Sequence, residues 1–502
     1  MENTNDELIV KESIVEVETP SSAISRAKSI SISPKAVIVG IIVVLTLFIT
    51  AYVLTFVLDK GTFLRDADGS IIVGTYQVDE TLDGIKWWQF LLAPFMILLP
   101  STEGSMTVWA ILLLLLIIGA IFTALDDSGI LVYMVEYLNY KLGHRKYLLL
   151  TIITFALMFL GSSAGMFEEL IPLVPVVVML SYALGWDALV GLGVSVLAPC
   201  FGFSAAVVNP FTVGVAQTIG GIPMYSGIGL RVLTFFLAYG ILMLFIIPYA
   251  KKVEKNPQKS MVYALDLERK KSFCFRVEDF KEEKGKNKAL LWFGCWMLAI
   301  VLLALVSIAV PVLADYLMYI ILGIYVIAGI GACLMCGERG KRLFVNLGKG
   351  MLTLLPAVAL ILIAGGIRYI VEEGDIMDTI LYHIVNLIGD KGGFGTTILI
   401  YLLIFVFEFF IQSGSAKVFL LMPMVYDICA MVGINPQVSV LAFCFADGFA
   451  NVLLPTNAGL LLILGLTTVD YAKWVRWSLK IHLALFVATL GVLALAQFVV
   501  YA

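Results

Sequence analysis

Phe410 to Gly465 reads FIQSGSAKVFLLMPMVYDICAMVGINPQVSVLAFCFADGFANVLLPTNAGLLLILG. The stretch is apolar enough for a bilayer, yet two clusters break it. One is Ser413-Gly414-Ser415 followed by Lys417, and the other is Asp447-Gly448-Phe449-Ala450-Asn451 followed by Pro455-Thr456-Asn457. A charge at mid-membrane costs about 2.5–3.5 kcal/mol on insertion scales, and irregular backbone at that depth survives only inside protein or beside a water-filled cavity. The stretch therefore reads as half of a solute site.

Composition sets the class. Of 502 residues 61% are hydrophobic and 14% charged, and apolar runs of about 20 residues recur, so an all-α polytopic membrane protein in a lipid bilayer is expected. The net charge of −4, without a basic stripe, gives no reason to expect nucleic acid as a partner. The seven cysteines are scattered and do not make a disulfide framework. Cys333 and Cys336 close an apolar helix with no partner pair or nearby histidine, and His144, His383 and His482 are isolated. No metal, no other cofactor and no enzyme chemistry is expected from such a set.

Residues 1–35, polar and acidic before Arg26, Lys28 and Lys35, read as a disordered cytoplasmic tail rather than a cleaved signal peptide. Residues 36–104 give a first span (36–58), a segment rich in Asp59, Asp66, Asp68, Asp79, Glu80 and Asp83 that faces outward, and an interfacial helix from Trp87 to Leu99. A first interrupted region fills 105–250. The loop 251–288 carries twelve Lys or Arg against seven Asp or Glu, which puts it in the cytoplasm. Two linking spans, 289–313 and 316–336, lie within 289–352, and a second interrupted region fills 353–502.

The two interrupted regions are copies. Gly119 and Gly365 are 246 apart, as are Asp126 and Glu372; Ser162 and Ser413 differ by 251, as do Pro172 and Pro423. Cys200 and Cys444 differ by 244, and Pro210/Pro455 and Arg231/Arg476 by 245. A near-constant offset in so irregular a pattern marks duplication. The helix at 105–125 runs outside to inside and its counterpart, about 353–371, runs the other way. Two inverted-topology repeats with re-entrant hairpins and broken helices follow, and Ala502 falls outside.

Within this frame the chemistry-bearing residues are few. Ser162 and Ser163, followed by Ala164-Gly165, let a hairpin turn with its backbone groups free, although small residues also serve plain helix packing. Glu168 and Glu169 follow closely; one is expected at the same opening, or else they cap a helix start. Asn209-Pro210-Phe211-Thr212 and Pro455-Thr456-Asn457 each join a helix breaker to amide and hydroxyl groups, a polar kink present in both copies. Ser413 and Ser415 mark the second hairpin. Asp447, with Asn451 beyond it, has no acidic counterpart in Phe201-Gly202-Phe203-Ser204, so it suits coupling to Na+ or H+, binding of a substrate amine, or an ion pair with Lys417 or Arg368. Glu408 is a second titratable group or an internally paired charge. Asp126-Asp127 and Glu372-Glu373 mark helix ends.

Four segments then carry a family likeness: GMFEELIPLVPVVVMLSYALGWD (165–187), NPFTVGVAQTIGGIPMYSG (209–227), QSGSAKVFLLMPM (412–424) and LAFCFADGFANVLLPTNAGLLLILGLTTVDYAKWVRW (441–477). Over about 105–500 the chain resembles the YfcC-type branch of the DcuC family of bacterial carriers, in the ion transporter superfamily. The resemblance implies a secondary transporter of the cytoplasmic (inner) membrane, often a homodimer, with a scaffold and a moving part that holds two hairpins. It implies a small-molecule substrate, either a four-carbon dicarboxylate or a basic amino acid in arginine/ornithine-type exchange. Candidate intramembrane acids (Glu168, Glu169, Glu408, Asp447) outnumber bases (Lys417, Arg368), which leans toward an amino acid with an extra amine. A dicarboxylate carrier with Na+ or H+ at the acids is the alternative; a channel or a membrane enzyme is remote.

Overall fold

The computed structural model describes residues 34–65, 72, 74–79, 81–82, 84–102, 105–272, 282–307, 310–388 and 393–501. The 1–33 tail and the acids Asp66, Asp68, Glu80 and Asp83 lie outside these, as do the side chains of Glu169 and Ser415. A chain in lipid must satisfy its backbone within each segment, and helices do so. Those of the first part are α1 (Pro34–Val57), α2 (Trp87–Met96), α3 (Ser105–Asp127), α4 (Ile130–Leu142), α5 (Lys146–Ala164), α6 (Val174–Ala183), α7 (Ala188–Leu192), α8 (Ala198–Ala205), α9 (Val215–Ile219) and α10 (Ile228–Lys255). Then come α11 (Tyr263–Ser272), α12 (Lys284–Ser307), α13 (Pro311–Met335), α14 (Gly340–Thr353), α15 (Leu355–Glu373) and α16 (Met377–Ile388). The last five are α17 (Gly393–Phe407), α18 (Gly414–Val432), α19 (Pro436–Ala450), α20 (Ala458–Gly465) and α21 (Tyr471–Leu495). A two-stranded antiparallel pair, β1 (Gly61–Thr62) and β2 (Gln77–Val78), lies between α1 and α2.

Among the described residues, the helical stretches Gly143–Ala164, Ala188–Ile219, Ile228–Lys255 and Tyr471–Val500 are long and apolar enough to cross a membrane. Between α7 and α8 the helix continues as a wider turn over Gly193–Leu197. Helices α3 and α15 stop at the acidic pairs, Asp127 and Glu373, as the sequence predicts. The linking spans differ in placement from 289–313 and 316–336: α12 is described to Ser307 and Pro311 opens α13. Proline lacks the amide hydrogen that a helix interior needs and is favoured in the first turn.

Lipid tails are as apolar as leucine, so helices associate through close packing of small residues. A Cβ added at Gly202 of α8 would stand 1.9 Å from the Met158 carbonyl oxygen of α5, and one at Gly161 of α5 would stand 2.0 Å from that of Pro199. A Cβ added at Gly448 of α19 would stand 2.2 Å from Ser204 Oγ of α8. This contact corrects the expectation of a break at Asp447-Gly448: α19 runs on to Ala450 because Gly448 serves the crossing with α8. A smaller apolar cluster joins α1 and α2 to α15.

Two polar ties hold the ends of the bundle. Asp378 accepts from the Phe63 amide (3.1 Å) and the Arg65 guanidinium (2.9 Å), fixing the β1 segment to α16. In the 251–288 loop, Asp266 of α11 is buried and accepts from the Ala188 amide (2.8 Å), Tyr182 (2.9 Å) and Thr468 (2.7 Å). Burial, then the neighbouring Asp187, push the Asp266 carboxyl up to about 6 against the pull of its donors. Asp187 itself caps α7 through Val190 (3.0 Å) and accepts from Tyr249 (2.7 Å) and Ser260 (2.6 Å).

Candidate functional site

Helix α5 ends at Gly165, whose φ of 63° is left-handed and which lies so close to Asn209 that a Cβ would meet its Oδ1 at 2.6 Å. The chain returns through a 3-10 turn at Glu168–Leu173 into α6. One turn before the tip, Ser162 Oγ accepts from the Val207 amide (3.0 Å) and its carbonyl from Val208 (3.3 Å). These are backbone groups freed where α8 stops. Ser163 uses its hydroxyl on the Phe159 carbonyl of its own helix, at 2.7 Å. Asn209 Oδ1 caps the next segment through the Phe211 amide (2.9 Å), and its Nδ2 is buried without a partner.

The second interrupted region is tied together by different atoms. Helix α17 ends at Phe407, and Ser413 caps α18 through Ala416. Gln412 spans from the tip to the break: its Nε2 donates to the Thr456 carbonyl, and its Oε1 accepts from the Ala458 amide (3.3 Å). Asn457 Oδ1 accepts from Leu460 (2.9 Å), Asn457 Nδ2 donates to Asn451 Oδ1 (2.8 Å), and Asn451 Nδ2 donates to the Asp447 carbonyl (3.1 Å). An unbroken run of amides thus bridges the gap between α19 and α20. Gln412 escaped the sequence reading; its place beside Ser413 was the available signal.

Carbonyls freed at each break are held by the helix that closes each copy. Arg231 of α10, 1% exposed, donates to Val207 (3.1 Å), Ser226 (2.9 Å) and Tyr225 (2.9 Å). In the second copy Arg476 is exposed, and Trp474 and Tyr471 serve instead, donating to Val452 and Leu453 at 2.8 Å each. Different donors thus hold carbonyls in the two regions.

Each hairpin tip also touches the other copy. Phe167 lies where a Cβ on Gly459 of α20 would meet its ring at 2.8 Å. Gly414 lies against Asp447 and, 3.4 Å from its notional Cβ, against Thr212 of the first break. Lys417, at 0% exposure, forms ion pairs with both Glu408 and Asp447, themselves at 0%. Arg368 pairs with Glu372 at 2.5 Å instead, so the ion pair weighed between Asp447 and Arg368 is not formed; α15 already supplies Arg368 with a carboxylate one turn away. Thr212 is fully buried beside this group, and Thr456 Oγ1 is buried without a partner. Glu168 and Asp447 both act electrostatically on the buried Cys200 thiol.

A cavity of about 650 Å³ lies beside the second hairpin, bounded by Arg65, Arg368, Glu372, Asp378, Ala416 and Leu420 among others. The structure brings Ser162 and Asn209 together at one break, and Asn451, Thr456 and Asn457 at the other. Ser413 is exposed at the second tip, while Ser162, Ser163 and Asn457 are buried.

Two hairpins docked on two broken helices inside a polytopic helical bundle are the build of a membrane transporter. The chain belongs to the C4-dicarboxylate anaerobic carrier family, DcuC, whose model matches residues 35–498. It is 30% identical over 426 residues, 80% of each chain, to the Escherichia coli (strain K12) protein named "Putative basic amino acid antiporter YfcC". It is 24% identical to an uncharacterised Haemophilus influenzae (strain ATCC 51907 / DSM 11121 / KW20 / Rd) protein over 413 residues, 81% of this chain and 77% of that one. Among solved structures it aligns with Neisseria gonorrhoeae MtrF, described as one of a class of antimetabolite efflux pumps (TM-score 0.43, 18% identity, 93% of this chain and 96% of that one). It also aligns with the Alcanivorax borkumensis YdaH transporter (TM-score 0.41, 15% identity, 92% and 98%).

Proposed function

We propose that this chain is a secondary active transporter that exchanges a basic amino acid, arginine/ornithine-type, across the bacterial cytoplasmic membrane by alternating access. The observation that carries the reading is the meeting of the second hairpin, both breaks and an acid-rich buried triad at one place. Two carboxylates around one lysine carry an excess of negative charge, which favours a cationic solute beside them over an anionic one. Asn209, Thr212 and Thr456 would supply its remaining hydrogen bonds, since each holds a buried polar atom without a partner and such atoms are rare. The name of the Escherichia coli relative agrees with this charge argument.

In this proposal the two copies are inverted, the 251–288 loop and the N-terminus are cytoplasmic, Ala502 is outside, and the carrier works as a homodimer. The 650 Å³ cavity beside the β1 segment is then the outer vestibule. A second reading, a C4-dicarboxylate carrier, is favoured by the family's description and by Arg65 and Arg368 in that vestibule. Counterflow into proteoliposomes preloaded with arginine, ornithine, fumarate or malate decides between them. Labelled arginine accumulating against internal arginine or ornithine, and not against fumarate or malate, supports the first reading. Accumulation of labelled fumarate, with none of arginine, replaces it with the second.

A further inference from the structure

We infer that Glu408, Lys417 and Asp447 form a proton-binding site that holds one proton on its carboxylate pair, and that this proton is the ion the carrier couples to. The inference rests on the reading of the chain as a carrier and names its coupling ion. The three side chains are fully buried, and Lys417 contacts both acids. One ammonium and two carboxylates sum to a single negative charge, and a dry interior does not hold an uncompensated charge. One further monovalent cation is required.

Glu408 lies one residue beyond α17 and Lys417 in the first turn of α18, so the second hairpin supplies two of the three charges and α19 supplies the third.

The cation that fits is a proton. A sodium ion needs several oxygen ligands and room beside the Lys417 ammonium. Here Lys417 already fills the space between the carboxylates, and Gly414 packs so closely that even a Cβ would sit 2.9 Å from Asp447 Oδ2. A proton needs no space. It moves from water on one side onto a carboxylate oxygen, and leaves from the same oxygen to water on the other side when the site changes access. Other titratable or charged groups near the triad are the Cys444 thiol one turn before Asp447 on α19, the Cys200 thiol of α8, Glu168 of the first hairpin and Arg231 of α10. The neutral Thr212 faces it from the first break.

The test begins without solute. Infrared difference spectra of the purified full-length protein at pH 7.5, wild type minus Glu408→Gln and wild type minus Asp447→Asn, are expected to show one protonated-carboxyl band, lost in each variant. Either variant leaves one acid paired with Lys417, a balanced site that stays folded. Lys417→Met leaves two acids and no base, so its band should roughly double. Absence of the band from wild type, or its persistence in both acid variants, overturns the inference. Proton movement is then read with a trapped pH dye in proteoliposomes on adding arginine, with and without sodium. Proton flux in wild type, absent in both acid variants, supports coupling; arginine transport that follows sodium and moves no protons overturns it. If wild type moves no arginine while the carboxyl band obeys the first test, the substrate assignment fails and the proton site stands.

Discussion

Gly202→Ala tests the crossing that seats the first hairpin. The added Cβ would lie 1.9 Å from the Met158 carbonyl oxygen and 3.0 Å from the Ser162 amide nitrogen. Real contacts of this kind stay beyond 3.0 Å, so α5 and α8 must part by at least about 1 Å, and neither partner can turn aside because both are backbone. Overpacking of this kind costs about 1–3 kcal/mol. The same displacement stretches the bonds of Ser162 to Val207 (3.0 Å) and Val208 (3.3 Å) toward or past their useful range. Each is worth about 0.5–1.5 kcal/mol, which brings the total to roughly 2–6 kcal/mol. Thermal unfolding of the detergent-purified variant, followed by tryptophan fluorescence, should show a clear fall in Tm, with transport lost as the tip leaves the break. Gly240→Ala is the control: nothing lies within 4 Å of its Cβ, and alanine should hold or raise Tm by up to about 1 kcal/mol of helix preference. Equal melting of Gly202→Ala and wild type would refute the close crossing.

Asn457→Ala removes the cap of α20 and the bridge to Asn451; a loss of about 1–2 kcal/mol and a weaker apparent solute affinity are expected, and wild-type affinity takes Asn457 out of the site. Asp266 binds its proton more tightly folded than unfolded, its carboxyl rising from 3.8 to about 6. Its contribution is thus fullest in acid and falls as pH rises through 6, by about 1 kcal/mol between pH 5 and 7; Asp266→Asn, whose hydroxyl neighbours can reverse their bonds, should flatten that slope in a Tm-against-pH series. Trp474→Phe leaves the Val452 carbonyl without its donor; a cost of about 1–3 kcal/mol is expected by thermal unfolding, and an unchanged Tm would show that the carbonyl is satisfied otherwise. A reporter fused after Ala502 should report an outside location, and a cytoplasmic signal would sink the inverted arrangement.

The sequence by itself determined that this is a helical membrane protein with two interrupted regions, that α3 and α15 stop at acidic pairs, and where the polar kinks fall. Those features are local: in lipid each segment must satisfy its own backbone, so every exception shows as a proline, glycine or polar residue in an apolar run. Only the tertiary structure decided which groups answer those exceptions. Ser162 serves a break more than forty residues away, and Arg231 in one copy does what Trp474 and Tyr471 do in the other. The charges make the point most sharply. Were Asp447 the sole partner of Lys417, Asp447→Asn would strand a buried base at a cost of about 3–5 kcal/mol; in the structure Glu408 also pairs with Lys417, so the base keeps a partner. Which buried charges meet depends on how closely helices cross, and a glycine such as Gly448 or Gly414 settles that distance only when the opposing backbone is in place.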